Sequence, residues 1–133
     1  MKTLIAEDDA ASRKFLYKLL AEYGECDLVV DGLEAVDAYM MSVKEKNPYD
    51  LICLDIMMPK VDGVRALKAI RDFEKQNGVD VEKRAKIIMT TVLAESEFVQ
   101  KAFEYECDGY ASKPIETGRF LEVLQKMKLI VKK

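Results

Sequence analysis

The chain has 133 residues, 50% hydrophobic and 34% charged, enough to bury the core of one domain and leaving little room for a second. A net charge of −3 argues against non-specific DNA binding, which needs clustered Lys and Arg to neutralise phosphates. There is no histidine, which excludes imidazole bases, Ser-His-Asp and Cys-His nucleophiles and imidazole metal ligands.

Taken in order, Thr3-Leu4-Ile5-Ala6 is a continuous apolar run that ends in Glu7-Asp8-Asp9. Phe15, Leu16, Leu19, Leu20 and Tyr23 then recur at helical spacing. Residues 26–30 form a weaker strand candidate, and Ala35, Val36, Tyr39, Met40 and Val43 a second helical stripe. A second continuous run, Leu51-Ile52-Cys53-Leu54, ends at Asp55 and leads into Ile56-Met57-Met58-Pro59. Val64, Leu67, Ile70 and Phe73 mark a third helix, and the polar stretch 76–84 reads as a surface loop. Ile87-Ile88-Met89 ends at Thr90-Thr91, followed by the stripe Phe98, Val99, Ala102 and Phe103. A weak strand, Gly109-Tyr110-Ala111-Ser112, runs into Lys113-Pro114, and Phe120, Leu121, Leu124 and Met127 give the last helix. The Met and aromatic residues of these stripes are expected in the core. Lys126, Lys128, Lys132 and Lys133 read as a solvated basic helix end favoured by the macrodipole.

Continuous apolar runs suit parallel strands covered on both faces. Five strands alternating with five helices imply right-handed crossovers and an α/β fold, a doubly wound (βα)5 sheet whose strand order stays open. Cys26, Cys53 and Cys107 are odd in number and widely spaced, which argues against a disulfide framework or a structural zinc site and fits a reducing compartment. No apolar run approaches the roughly 20 residues that span a bilayer. The start meets charge at Glu7, too soon for a secretory signal. The expectation is a cytoplasmic protein without membrane contact. Met1 and the short tail fit a full-length chain, residues 1–133 forming a single domain.

In a parallel sheet, function collects at the carboxyl ends of the strands. Those ends deliver Glu7-Asp8-Asp9, Asp55, Thr90-Thr91 and Ser112-Lys113 to one edge. Packed carboxylates repel one another and raise a pKa unless a cation intervenes. Oxygen-only ligands favour a hard cation, with Mg2+ the natural candidate. A carboxylate, a divalent ion, a hydroxyl and an ammonium together describe phosphoryl transfer to or from the carboxylate. A lone Asp after a strand is more often a helix cap; four strand ends agreeing is harder to dismiss.

These residues, in this order and spacing, resemble the receiver domain of two-component response regulators, and in size the stand-alone receivers related to the chemotaxis protein. The resemblance runs from about Lys2 to Met127. It is carried by Glu7-Asp8, by Leu54-Asp55-Ile56-Met57-Met58-Pro59 with Asp62-Gly63, by Thr91, and by Tyr110-Ala111-Ser112-Lys113-Pro114. It implies the flavodoxin-like receiver fold and a phosphorylation-dependent signalling switch, not an enzyme in the usual sense. Asp55 would accept a phosphoryl group from a histidine kinase or phosphotransfer protein. Asp8, Asp55 and the Met57 backbone carbonyl would bind Mg2+ directly, and Glu7 through water. Lys113 would pair with the carboxylate and then with the phosphoryl oxygens, and the bond to Pro114 is expected to be cis. Thr91 would bind the new phosphoryl group and Tyr110 would turn inward after it. The implied readout is the face of the fourth helix, fifth strand and fifth helix, around residues 95–107, Tyr110 and 119–126, contacting a downstream target protein with no direct DNA binding.

Some positions depart from the family pattern. Asp9 adds a third acid, expected to face solvent or cap the first helix. Val92 stands where the family often has alanine, and its branched side chain could narrow the room beside Thr91. Met57 and Leu93 carry no group able to orient an attacking water, which implies a long-lived aspartyl phosphate. A phosphatase resembling the haloacid dehalogenase group is disfavoured, because its second acid would stand where Met57 does and the chain has no room for a cap. A flavodoxin-like cofactor site would need a phosphate loop where Glu7-Asp8-Asp9 stands, and no glycine-rich nucleotide motif occurs. A degenerate receiver acting only as an interaction module is disfavoured by the presence of Asp8, Asp55, Thr91 and Lys113.

Overall fold

The computed structural model describes residues 1–92 and 96–131. Among them the elements run β1 (Thr3–Ala6), α1 (Ala10–Leu20), β2 (Cys26–Val29), α2 (Gly32–Lys44), β3 (Leu51–Asp55), α3 (Gly63–Gln76), β4 (Lys86–Thr91), α4 (Glu97–Glu104), β5 (Gly109–Ser112) and α5 (Thr117–Lys126). Short 3-10 turns follow α1 at Ala21–Tyr23 and interrupt the polar connection before β4 at Val81–Lys83. The strands are all parallel and ordered β2-β1-β3-β4-β5. The chain moves from β1 out to β2 and then crosses back to β3, so the winding reverses between β1 and β3, where open α/β sheets build their sites.

Strand side chains alternate between the two faces of the sheet, and each face has its own core. Leu4, Ala6, Ile52, Leu54, Ile87 and Met89 point to the face covered by α2, α3 and α4, with Tyr39, Leu67 and Ile70 packed on them. Ile5, Leu51, Cys53 and Ile88 point to the other, covered by Leu16 and Leu20 of α1 and Phe120 and Leu124 of α5. Burial on both faces explains the continuous apolar runs Leu4-Ile5-Ala6 in β1, Leu51-Ile52-Cys53-Leu54 in β3 and Ile87-Ile88-Met89 in β4. The edge strands β2 and β5 have one neighbour each and read weakly for that reason. β2 stops at Val29, one residue short of the expected end.

Three of the helices begin with an aspartate cap. The N–H groups of Ser12, Glu34 and Arg65 donate to Asp9, Asp31 and Asp62 at 2.9, 2.8 and 2.9 Å, relieving unpaired first-turn donors. Asp9 is thus a cap, one of the two roles expected of it.

The helical stripes are narrower than the sequence suggests. Phe15, Phe98 and Phe103 are 40, 45 and 47% exposed, not core residues. A helix lying on a sheet buries only one stripe of its surface. In α1 that stripe is Leu16 and Leu20, and in α4 it is Val99 and Ala102, so the neighbouring rings stand off-centre in solvent. Among the described residues, no helix is long and apolar enough to cross a membrane.

Candidate functional site

β1 and β3 lie side by side with Ala6 paired to Leu54, so the next residues, Glu7 and Asp55, arrive together at the carboxyl edge. Asp55 pairs with Thr90, and Thr91 with Ser112, which carries the alignment across to Lys113. The result is a cluster in which carboxylate oxygens of Glu7, Asp8 and Asp55 all lie within 4.8 Å of one another. Lys113 Nζ reaches into it, donating to Glu7 Oε2 at 2.6 Å and standing 3.1 Å from Asp55 Oδ2. The Lys113 N–H also donates to the Thr91 carbonyl at 2.8 Å, which ties β5's exit to the end of β4.

Burial differs across the cluster and sets its electrostatics. Glu7 is fully buried and Asp55 nearly so, whereas Asp8 is exposed. Burial pushes the Glu7 carboxyl up from 4.5 to about 7, with the hydrogen bond from Lys113 opposing and the charge of Asp55 adding. For Lys113, burial works to lower its pKa, but the Glu7 hydrogen bond and the Asp55 charge together outweigh it and raise the ammonium above its usual value. Three carboxylates facing one ammonium leave an excess of negative charge. The donor set is oxygen only, so the residues present fit a hard divalent cation such as Mg2+.

The remaining expected residues sit around this centre. Thr91 is buried at the end of β4. The Met57 N–H donates to Asp55 Oδ1 at 3.3 Å while its side chain is exposed, so the backbone of this residue, not its thioether, lies next to the carboxylate. The Lys113–Pro114 bond is cis. Tyr110 is partly exposed and edge-on to Phe103 with ring centroids 6.1 Å apart. Val92 is 70% exposed, so its branched side chain stands mostly in solvent instead of filling the space beside Thr91. Leu93 and Glu95, and Lys132 and Lys133 of the basic tail, lie outside the described residues.

Two further residues support the site: Gly63, a motif residue whose steric role residue type does not state, and Arg13, which escapes such a reading altogether. Gly63 opens α3 beneath the site, and a Cβ there would stand 2.1 Å from the Asp55 carbonyl oxygen, so only glycine lets the β3–α3 loop close. Arg13, in α1, donates through Nη1 to the Glu7 carbonyl at 2.9 Å and approaches the Asp8 carbonyl at 3.4 Å. The available signal for Arg13 was its position, a cation near the N-terminal end of a helix where the macrodipole disfavours one.

The family model for the response regulator receiver domain matches residues 3–125, and the chain belongs to that family, the receiving module of two-component signalling. It is 32% identical to the chemotaxis protein CheY of Treponema pallidum over 91% of this chain and 78% of that protein. It is 33% identical to probable histidine kinase 2 of Oryza sativa subsp. indica over 93% of this chain, but spans only 12% of that much longer protein. Among solved structures it is similar to CheY in the CheX–CheY–BeF3–Mg complex of Borrelia burgdorferi, with a TM-score of 0.80, 28% identity and coverage of 99% of this chain and 90% of that one. It is also similar to the receiver domain of Saccharomyces cerevisiae Ssk1, solved with the phosphotransfer protein Ypd1, with a TM-score of 0.79, 26% identity and coverage of 99% and 93%.

Proposed function

We propose that this chain is a phosphorylation-dependent switch in which Asp55 is the phosphoacceptor. The observation that carries the reading is the Lys113 ammonium lying between two carboxylates, Glu7 and Asp55, at the point where the sheet winding reverses. The donor is a phosphohistidine of a histidine kinase or phosphotransfer protein, because this chain has no histidine of its own. An Asp55 carboxylate oxygen attacks phosphorus as the P–N bond breaks, and the bonding electron pair leaves with the donor imidazole. Asp8, Asp55 and the Met57 carbonyl would hold Mg2+ directly, and Glu7 through water. Bound there, Mg2+ supplies positive charge that offsets the crowding of carboxylate and phosphoryl oxygens.

Lys113 is placed to turn from the carboxylates to the phosphoryl oxygens, and the Thr91 hydroxyl to donate to them. The modification adds roughly −1.5 to −2 charges and new acceptor oxygens, enough to bias a two-state element. Tyr110 follows inward, and the face of α4, β5 and α5 presents the change to a downstream target protein in the cytoplasm. The switch is read by protein contact, with neither DNA nor membrane as its direct partner. Asp55 holds one phosphoryl group per event, so this is signalling and not substrate turnover. The exposed, apolar Met57 offers no group to orient a hydrolytic water, which favours a long-lived aspartyl phosphate.

Intact mass after incubation with acetyl phosphate tests this, with and without Mg2+ and alongside Asp55→Asn. A single phosphoryl adduct needing both Mg2+ and Asp55 is the expected result. Folded protein that neither binds Mg2+ nor gains mass would point to a degenerate interaction module instead. Following the adduct over time in Met57→Asn reads the lifetime, and an unchanged decay would remove the role given to Met57.

A further inference from the structure

Asp8 differs from the other acids of the cluster in how it is held. Glu7 is buried and fastened by Lys113, and Asp55 is nearly buried beside the same ammonium, but the Asp8 carboxylate is exposed. Its direction therefore depends on its backbone. The Glu7 and Asp8 carbonyls belong to the two peptide planes on either side of the Asp8 Cα, and each plane is rigid. Arg13 Nη1 contacts both, at 2.9 and 3.4 Å. Contacts to both planes restrain φ and ψ of Asp8 and hence the direction in which its side chain leaves the chain. The surrounding loop is pinned as well: the Glu7 N–H donates to the Val29 carbonyl at 3.1 Å, and Asp9 caps α1 through Ser12 at 2.9 Å.

We infer that Arg13 is a positioning residue for the cation site, acting through the backbone on either side of Asp8; this rests on reading Glu7, Asp8 and Asp55 as that site. The charge of Arg13 works the other way. A guanidinium beside a site for a divalent cation repels the ion, and one near a helix N-terminus opposes the macrodipole. Orientation and charge thus predict opposite signs when the side chain is removed.

Calorimetric titration with Mg2+, repeated with Mn2+ by electron paramagnetic resonance, separates them. Arg13→Met is expected to weaken the affinity by about tenfold, the lower end of the range for outer contacts that orient metal ligands, although it removes a repelling charge. Arg13→Lys keeps the charge, but its shorter side chain does not carry a nitrogen to the Nη1 position that meets both carbonyls, and the variant is expected to weaken binding too. Unchanged or tighter binding by Arg13→Met, with Arg13→Lys like the parent, would overturn the inference and leave the site reading intact. A parent chain that binds neither ion would overturn both. Thermal unfolding in EDTA checks each variant's fold, and if Arg13→Met fails to fold, Arg13→Lys alone decides.

Discussion

Glu7 holds its carboxyl group out of solvent at about pKa 7, against 4.5 for an ordinary glutamate, because burial disfavours the ionised form more than Lys113 restores it. Relative to the unfolded chain, the folded, metal-free protein therefore favours the protonated group below about pH 7. Its contribution to stability is fully present below about pH 4.5 and is lost as pH rises through 7. The chain has no histidine, so no side chain with an ordinary pKa titrates across the middle of that window. Metal-free protein should unfold at progressively lower temperature between about pH 5 and 7.5, and Glu7→Gln should flatten that slope. A parent profile that is already flat would mean that Lys113 keeps Glu7 ionised throughout.

At the scale of the elements, the strand exits were legible because each continuous apolar run stops abruptly at a charged or hydroxyl residue. Those stops place Asp55, Thr91 and Lys113 on one edge from the sequence alone. Strand order was not legible, since either hand-over from β1 satisfies the same apolar runs. Nor was the burial of Arg71, which follows Ile70 on α3 and reads as a surface cation. One partner, Glu74, is a turn away on α3, but the others are distant in sequence: Nη1 donates to Glu74 Oε1 and the Ala85 carbonyl, both at 2.8 Å, Nη2 to Asp108 Oδ2 at 2.8 Å, and Nε to the Glu106 carbonyl at 3.0 Å. Glu74, fully buried, also accepts from Tyr39 Oη at 2.7 Å and the Ala85 N–H at 3.0 Å. This network fastens α3 to the start of β4 and to the α4–β5 turn, at the end of the sheet opposite the site. Arg71→Met leaves buried carboxylate unpaired and should destabilise the fold by about 3–5 kcal/mol. Tyr39→Phe, which removes one donor of several, should cost about 1 kcal/mol. Urea unfolding measures both, and Mg2+ affinity of the folded variants should stay at the parent value.

Across the whole molecule, β5 lies at an edge of the sheet that separates the two cores. It is one of the two outer strands, with α4 packed in the core of one face and α5 in that of the other. A change at the end of β4 is therefore one strand away from an open edge. That edge carries a groove of about 360 Å3 lined by Tyr110, Ile115, Arg119, Phe120 and Val123, with Tyr110 also resting edge-on against Phe103 of α4. Tyr110 thus touches both the groove and the fourth helix, so an inward turn would reshape the first and release the second in one motion. Aromatic NMR with Mg2+ and beryllofluoride checks this. The Tyr110 and Phe103 ring signals should shift together as the 6.1 Å contact is lost, and Asp55→Asn should show neither shift. Tyr110→Ala should still gain a phosphoryl group by mass while its Phe103 signal no longer responds. Shifts confined to Thr91 and Lys113, with both rings unmoved, would show that the output leaves the site by another route than Tyr110.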